Sequence, residues 1–484
     1  MEGYGKREGR QSLSLTRFNL TRLGTVSKNC RRFHLSTPTI RVYRCFVVHD
    51  SVDPHLSNFL SSFDRFLIQR GNSKIHIFSL RLCRVFSANA TARGFDEELY
   101  QIFSWIYNVV RCNVEVLEFE LVEAGYIQDY EGALLEFPSC VFSCRSLRSL
   151  RLSLRYGIIK SPLSSPSSNN IVFLRLNFVT LEEGFCKWIS CCCKCIKDIR
   201  LESVKGIENI TIESSLESFE VSGVGLLYLK VFGEELERIS IDWSHNSPND
   251  RLFVMSAPNL KYLSWIGNVM NNNLNFGELL RLEKVKLSHR FGVYDLDSAF
   301  KFLYSIRRVK FLILDEATMK VLFRGLVPGP LHDVTFLRIE FEELIEDDII
   351  PTLVSLFKAV PNLNTLHIRR KFFRYQETHS SLFSKSYWEL QNLAFVSQLK
   401  QVTMDLTYES NGIELAKYSC DDHPNLKRIL TESTIASKAT VVQDDIKWLH
   451  SCYLCGLRWF ECSLGFRCNV NSRGLRMNSL AAFD

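Results

Sequence analysis

The chain carries a recurring hydrophobic metre, in which apolar residues fall at positions 1, 4 and 6 of a short phrase. Residues 196–221 show it three times, as Ile196-Ile199-Leu201, Ile207-Ile210-Ile212 and Leu216-Phe219-Val221. Earlier phrases begin at Ile75, Val114, Leu147 and Ile171; later ones begin at Leu226, Leu236, Leu260, Leu282, Val309, Val334, Leu363 and Leu399. From Leu147 onward the spacing is mostly 20 to 30 residues, the period of leucine-rich repeats. In "LRSLRLSL" the residues at positions 4, 6 and 8 alternate, so a short strand turns them to one side. About 15 to 20 further residues suffice for a helical or extended return segment over that apolar side. One repeat cannot bury its own face, so neighbours stack and their strands align as a parallel sheet. The predicted fold is therefore α/β: a leucine-rich-repeat solenoid with a curved parallel sheet. Leu150, Leu176, Leu201 and Leu263, at position 4 or 6 of their phrases, are predicted core residues.

Between Ile196 and Leu236 the phrases come only about ten residues apart, too close for a return helix. Tight strand-turn-strand units ("ESVKGIEN", "VSGVG", "VFGEE") and a helix-free outer face are predicted there. Elsewhere the intervals are longer. In "FDEELYQIFSWIYNVVRCN" (95–113), Leu99, Ile102, Phe103, Ile106 and Val109 have helical spacing, as do Leu353, Leu356, Phe357 and Val360 in "PTLVSLFKAV" (351–360). Both predict return helices. "KSPLSSPSSNN" (160–170) reads as a solvated loop.

Composition adds bounds to this picture. With 46% hydrophobic and 23% charged residues over 484 positions, the chain has ample material for a core. No run of eighteen apolar residues occurs, so no membrane span is expected. A net charge of +6 does not by itself point to nucleic acid. The charge is uneven, however: residues 11–49 hold Arg17, Arg22, Lys28, Arg31, Arg32, Arg41 and Arg44 and no acid. An organelle transit peptide has that character, and this reading stands beside that of a basic segment of the mature protein. "MEGYGKREGRQSLSL" lacks the apolar region of a secretory signal. Sixteen cysteines without such a signal imply reduced thiols, in cytoplasm or nucleus, and no disulfide framework.

The candidate chemistry is sparse. "CKWISCCCKC" (186–195) has Cys192 and Cys195 at ligand-pair spacing but no second pair nearby. It is read as a return segment ending in a turn, its cysteines acting as small buried hydrophobes. In "CYLCGLRWFECSLGFRC" (452–468), Cys452 and Cys455 form one pair, but Cys462 and Cys468 are separated by five residues. No zinc is predicted at either place. Neither a nucleophile elbow, a phosphate-binding glycine loop nor a His-Glu-x-x-His helix occurs, so no enzyme activity and no cofactor are expected. "EFEELIEDD" (340–348), with Phe341, Leu344 and Ile345, is read as a solvated helix face rather than a metal site. "HIRRKFFRYQ" (367–376) mixes basic and aromatic residues and is read as the rim of a protein interface rather than a single-strand nucleic-acid platform.

Several phrases together resemble the plant F-box proteins with leucine-rich repeats and a C-terminal FBD region. They are "FDRFLIQRGNSKIHIFSLRL" (63–82), "WIYNVVRCNVEVLEFEL" (105–121), "FPSCVFSCRSLRSLRLS" (137–153), "APNLKYLSWIG" (257–267) and "YWELQNLAFVSQLKQVTMDLTYESNGIELAKY" (387–418). The last resembles the FBD region, where a Trp-led segment precedes one more strand and helix. The resemblance implies a repeat solenoid with an FBD-like α/β extension. It further implies a substrate-recognition subunit of an SCF-type ubiquitin ligase, holding a protein target while docked on a Skp-type adaptor and cullin complex. Of the F-box, only "VSKNCRRFHLSTPTI" (26–40) resembles the second half, usually Leu-Ser-Lys-x-Trp-Arg. Ser27, Lys28 and Arg31 match as a degenerate adaptor contact, while Cys30 stands at the Trp position. A missing apolar helix face removes the burial that drives adaptor docking, so the alternative is an F-box-deficient binding module acting without the ligase. The expected division is a basic F-box remnant over 1–50, the solenoid over 51–368, an FBD-like region over 369–430 and a divergent Cys-containing tail over 431–484. Pro424 interrupts any helix continuing from Tyr418. The residues that contact the target are left unassigned.

Overall fold

The computed structural model describes residues 28, 32, 35–48, 54–86, 96–124, 136–162, 170–182, 184–213, 215–243, 252–267, 274–276, 279–288, 302–323, 329–342, 345, 347–370, 383–404, 414–415, 418–419, 428–433, 437–441, 458–461, 467–471 and 474–475. They belong to two units, Met1–Val309 and Lys310–Asp484.

The first unit contains fourteen described strands. The first seven are β1 (Thr39–Val48), β2 (Ile77–Phe86), β3 (Val116–Ala124), β4 (Ser149–Ile159), β5 (Phe173–Leu181), β6 (Asp198–Glu202) and β7 (Asn209–Glu213). They are followed by β8 (Ser218–Ser222), β9 (Tyr228–Phe232), β10 (Arg238–Asp242), β11 (Leu252–Ser256), β12 (Tyr262–Ile266), β13 (Leu274–Asn275) and β14 (Lys284–Ser288). A main sheet takes them in the order β1-β2-β3-β4-β5-β6-β8-β10-β12-β14, and its pairs are parallel. This is the stacked sheet of a leucine-rich-repeat solenoid. Positions 4 and 6 of the metre point into the core throughout: Leu150, Leu176, Leu201 and Leu263 are all buried.

The ten-residue spacing has a structural meaning of its own. The Ile207 and Leu226 phrases supply β7 and β9, which join β11 and β13 in a second parallel sheet of order β13-β11-β9-β7. Over this stretch the outer layer is made of strands rather than helices, as the spacing predicts. The metre does not itself say which phrase joins which layer. Nor does it reveal β1 and β11. Ile40 and Val42, like Phe253 and Met255, are buried at positions 4 and 6, but Thr37 and Asp250 stand at position 1. Among the described residues the stack thus begins one strand before the Ile75 phrase.

Helices α1 (Pro54–Arg70), α2 (Asp96–Arg111) and α3 (Phe185–Cys192) are return segments of the first unit. Ile102, Phe103, Ile106 and Val109 of α2 are buried as their spacing predicts, while Leu99 is only half-buried. Trp105, off that predicted stripe, is fully buried against Phe63 of α1, with ring centroids 4.6 Å apart. Its indole N–H donates to Asp64 Oδ1.

Gly206 follows β6 in "ESVKGIEN", at φ +81°, where an added Cβ would lie 2.3 Å from the Leu181 carbonyl oxygen. Lys205 beside it bonds β5 through both backbone groups, to Val179 O and Leu181 N, each at 2.9 Å. Gly206→Ala is expected to cost about 2 kcal/mol or more, from left-handed backbone strain and that contact. A chemical-denaturation midpoint unchanged from the parent would show that the turn relaxes freely.

The second unit holds β15 (Phe311–Asp315), β16 (Phe336–Phe341), β17 (Thr365–Arg370), β18 (Gln401–Met404) and β19 (Arg428–Ser433) in parallel, with β20 (Ser437–Val441) antiparallel to β19. Its described helices include α4 (Glu316–Phe323), α5 (Ile350–Ala359) and α6 (Lys385–Leu390). Helix α5 matches the predicted return helix, and the Trp-led α6 followed by β18 has the order expected of an FBD region. Trp388 of α6 is fully buried, 6.4 Å from the Phe357 ring. A small antiparallel sheet joins β21 (Arg458–Glu461), β22 (Arg467–Asn471) and β23 (Gly474–Leu475).

Among the described residues of 340–348 the expected helix is not formed. Glu340 and Phe341 finish β16, and Asp347–Ile349 make a short 3-10 turn into α5. The alternation of Leu337, Ile339 and Phe341, all buried, has a period of two and overrides the charge run that follows it.

Candidate interaction surface

In both units alternate side chains of the parallel strands point away from the core. Because register is kept from strand to strand, these side chains form rows across the sheet. In the first unit one row reads Arg41, Ser79, Glu118, Arg151, Arg175, Arg200, Glu220, Ser240, Ser264 and Lys286. Next to it runs Phe173, Asp198, Ser218, Arg238, Tyr262 and Lys284.

The left part of this face is electrostatically self-paired. Arg151 Nη1 lies 2.8 Å from Glu118 Oε1, and Arg175 Nη2 lies 3.0 Å from Glu202 Oε2. Arg200 reaches Asp198 at 3.0 Å and Glu220 at 3.8 Å, and Arg81 pairs with Glu120. Phe173 is held between two guanidinium groups, with Arg151 Cζ at 4.8 Å and Arg200 Cζ at 5.5 Å from its ring centroid. Exposed pairs of this kind contribute only about 0–1 kcal/mol each, so their effect is to fix side-chain directions. Towards β14 the balance changes. Arg238 and Lys284 flank the Tyr262 ring at 5.9 and 5.4 Å, and with Lys286 they form no ion pair among the described residues. Cations over an aromatic ring, next to a self-paired ladder, suit a partner with acidic and apolar groups.

The second unit's face is smaller. Phe311, Phe336 and Thr365 lie in one row and Ile313, Arg338, His367 and Thr403 in the next. Arg338 Nη2 meets Glu340 Oε1 at 2.7 Å, and the Phe336 ring lies 5.5 Å from Phe311 and 4.9 Å from His367. Burial, then Arg369 and Arg338, hold the His367 proton affinity below the usual imidazole range. Asp315 is spent inside its own unit: its Oδ1 accepts the Thr318 N–H at 2.9 Å and its hydroxyl at 2.5 Å.

Residues 186–192 are helical as a return segment, followed by a turn. Cys186 and Cys193 are buried, and burial pushes their thiols up to about 11 and about 12, so both stay protonated at neutral pH. Cys191 and Cys195 are exposed. Among the described residues no cluster of three His, Cys, Asp or Glu side chains is placed to hold a metal. Cys452, Cys455 and Cys462 lie outside the described residues, and Cys468 is in β22. Of "HIRRKFFRYQ", residues 367–370 are in β17, with Arg369 exposed and Arg370 buried; residues 371–376 lie outside the described residues. Of the three matched F-box positions, Lys28 is helical and exposed, while Ser27 and Arg31 lie outside the described residues. Sequence alone did not find the facing residues, because the metre marks the inward positions and leaves the outward ones free.

No protein-family model matches the chain. Among curated proteins it is similar to an F-box/LRR-repeat protein of Arabidopsis thaliana, 25% identical over 333 residues, covering 65% of this chain and 60% of that relative. A second F-box/LRR-repeat protein from the same plant is 25% identical over 359 residues, 70% of this chain and 83% of the relative. A putative F-box/FBD/LRR-repeat protein of the plant is 22% identical over 435 residues, 85% of this chain and 78% of the relative. The chain is thus similar to plant F-box/LRR-repeat and F-box/FBD/LRR-repeat proteins. The stacked sheets and the buried metre of this chain fit the leucine-rich-repeat part of those names. Among the described residues no helix is long and apolar enough to cross a membrane.

Proposed function

We propose that this chain is a non-catalytic protein-recognition subunit of the SCF ubiquitin-ligase type, which holds a target protein on its open sheet faces. What supports this is the set of rows in register, with ion pairs that orient the outward side chains and, towards β14, cations that form no ion pair among the described residues. Such a surface presents side chains at strand spacing, about 4.8 Å apart, and no catalytic constellation is needed to use it.

Delivery to a ligase is a separate matter. Residues 13–40 offer Leu13, Leu15, Phe18, Leu20, Leu23 and Val26 without a sustained helical period, whereas a stable docking interface usually covers about 1,200 Å² or more. The reading favoured here is therefore a target-binding module whose own adaptor contact, through Ser27, Lys28 and Arg31, is weak. Titration of the purified chain with a Skp-type adaptor is expected to give micromolar or weaker binding. Grafting an intact F-box should raise capture strongly, but the junction must precede Thr39, since β1 is the first described strand of the stack. Nanomolar adaptor binding by the unmodified chain would overturn the weak-docking reading and make it an ordinary ligase substrate receptor. Specific partners recovered by affinity capture should be lost on reversing Arg238 and Lys286 to Glu; retention would put target binding elsewhere.

A further inference from the structure

Among the covered polar atoms of the second unit that have no hydrogen-bond partner are Arg338 Nε, His367 Nε2 and Thr403 Oγ1. Native proteins leave few such atoms, because each loses its water without compensation. What sets these apart is their placement. Arg338, His367 and Thr403 are register partners on β16, β17 and β18, so they form one row spanning about 10 Å. Other unpartnered atoms, such as Asn177 Oδ1 and Trp265 Nε1, are not neighbours in any row. The row lies on the face away from the core: Leu366 and Ile368, flanking His367, are buried, while His367 itself is half-buried and Arg338 keeps 33% of its side-chain surface open. A partner therefore reaches Arg338 and His367 by turning a side chain, whereas Thr403, only 5% exposed, is met at the covered end of the row.

The surroundings define what fits. Glu340 is engaged with Arg338 Nη2 and Asp315 with Thr318. Exposed Arg369 makes no ion pair among the described residues, and it adds positive potential at His367. Phe336 and Phe311 make an apolar shelf beside the row. Arg338 supplies an N–H, the Thr403 hydroxyl and the neutral imidazole can each donate or accept, and with Arg369 alongside the row offers donors and positive potential to a carboxylate. We propose that the Arg338–His367–Thr403 row is a recognition site for an acidic side chain, flanked by an aromatic one, on an extended segment of a target protein. The proposal rests on the reading of the chain as a target-binding module and names the chemistry of one of its subsites.

The test uses the full chain and a defined probe, fluorescein-labelled poly(Glu,Tyr), with poly(Lys,Tyr) as the opposite-charge control, read by fluorescence anisotropy. The parent should bind the acidic copolymer and not the basic one. R338Q and H367F should each weaken binding about tenfold, and the near-isosteric T403V about threefold. Thermal unfolding supplies the second readout. Removing an unpartnered hydroxyl or imidazole should leave the midpoint of T403V and H367F equal to or above that of the parent. Midpoints clearly below the parent would mean that these groups already have partners in the free protein, and would sink the proposal. It also falls if the parent ignores poly(Glu,Tyr), or if binding is unchanged in R338Q, H367F and T403V while K286E abolishes it. That last pattern leaves target binding by the chain intact and relocates its acidic subsite to the first unit. Capture of targets that depends on Arg238 and Lys286, measured separately, tests the broader reading without this row.

Discussion

Leu201→Asp should unfold at markedly lower denaturant than the parent, with a loss of about 3–5 kcal/mol. Leu201 is only 1% exposed and sits between Leu176 and Val221 in the register of β5, β6 and β8. Truncation of such a leucine alone costs about 2–5 kcal/mol through lost transfer energy and the cavity left behind. A carboxyl group adds its own desolvation, and it escapes part of that only by taking up a proton. The neighbouring position provides the control. Glu202 is half exposed and pairs with Arg175, so Glu202→Ala should change stability by less than about 1 kcal/mol. Equal midpoints for the two variants, measured by circular dichroism in urea, would mean that the inward and outward positions have been exchanged.

Trp105→Ala should lose about 3–5 kcal/mol, the range for removing a large buried aromatic side chain. Its ring lies edge-on to Phe63 at 4.6 Å and Phe59 at 6.0 Å, tying α2 to α1. Asp64 collects both the indole N–H and the amide of Gln101, so it loses one donor when the indole goes. Trp105→Phe keeps most of the apolar contact and drops only that donor, and it should fall between parent and alanine. A Trp105→Ala protein within 1 kcal/mol of the parent in urea unfolding would show that α1 and α2 are not held by this contact.

The periodic core was readable in advance because burial imposes a spacing, and spacing is a property of sequence. Leu150, Leu176, Leu201 and Leu263 follow directly from it. Trp105 does not, since helical periodicity of the aliphatic residues selects a stripe and says nothing of a wide ring that reaches around its edge. The two layers between β6 and β10 share one pattern, so local spacing could not assign Ile210 to one sheet and Ile199 to the other; that depends on which way each turn sends the chain. The run 340–348 misled for the opposite reason. Its charges were weighed as a helix face, whereas Leu337, Ile339 and Phe341 before and within it are strand-spaced and buried. The interaction surface was the least legible part. Its outward residues are constrained by no core, and the Arg338–His367–Thr403 row exists only once residues 29 and 36 positions apart in the chain are set side by side by pairing.

The pairing of Asp198 with Ser218, and of Ser218 with Arg238, places equivalent residues twenty positions apart at each step. A genetic duplication or deletion of twenty residues in this stretch therefore rejoins the sheet in phase, inward residues still inward. One event can add or remove a whole column of outward side chains, such as Ser218, Glu220 and Ser222, without redesigning the interior. A change of about ten residues has no such licence, because it exchanges the strands of one layer for those of the other. Length variation among related genes should accumulate here in multiples of the double step, and each such event would hand selection a different face on an unchanged core.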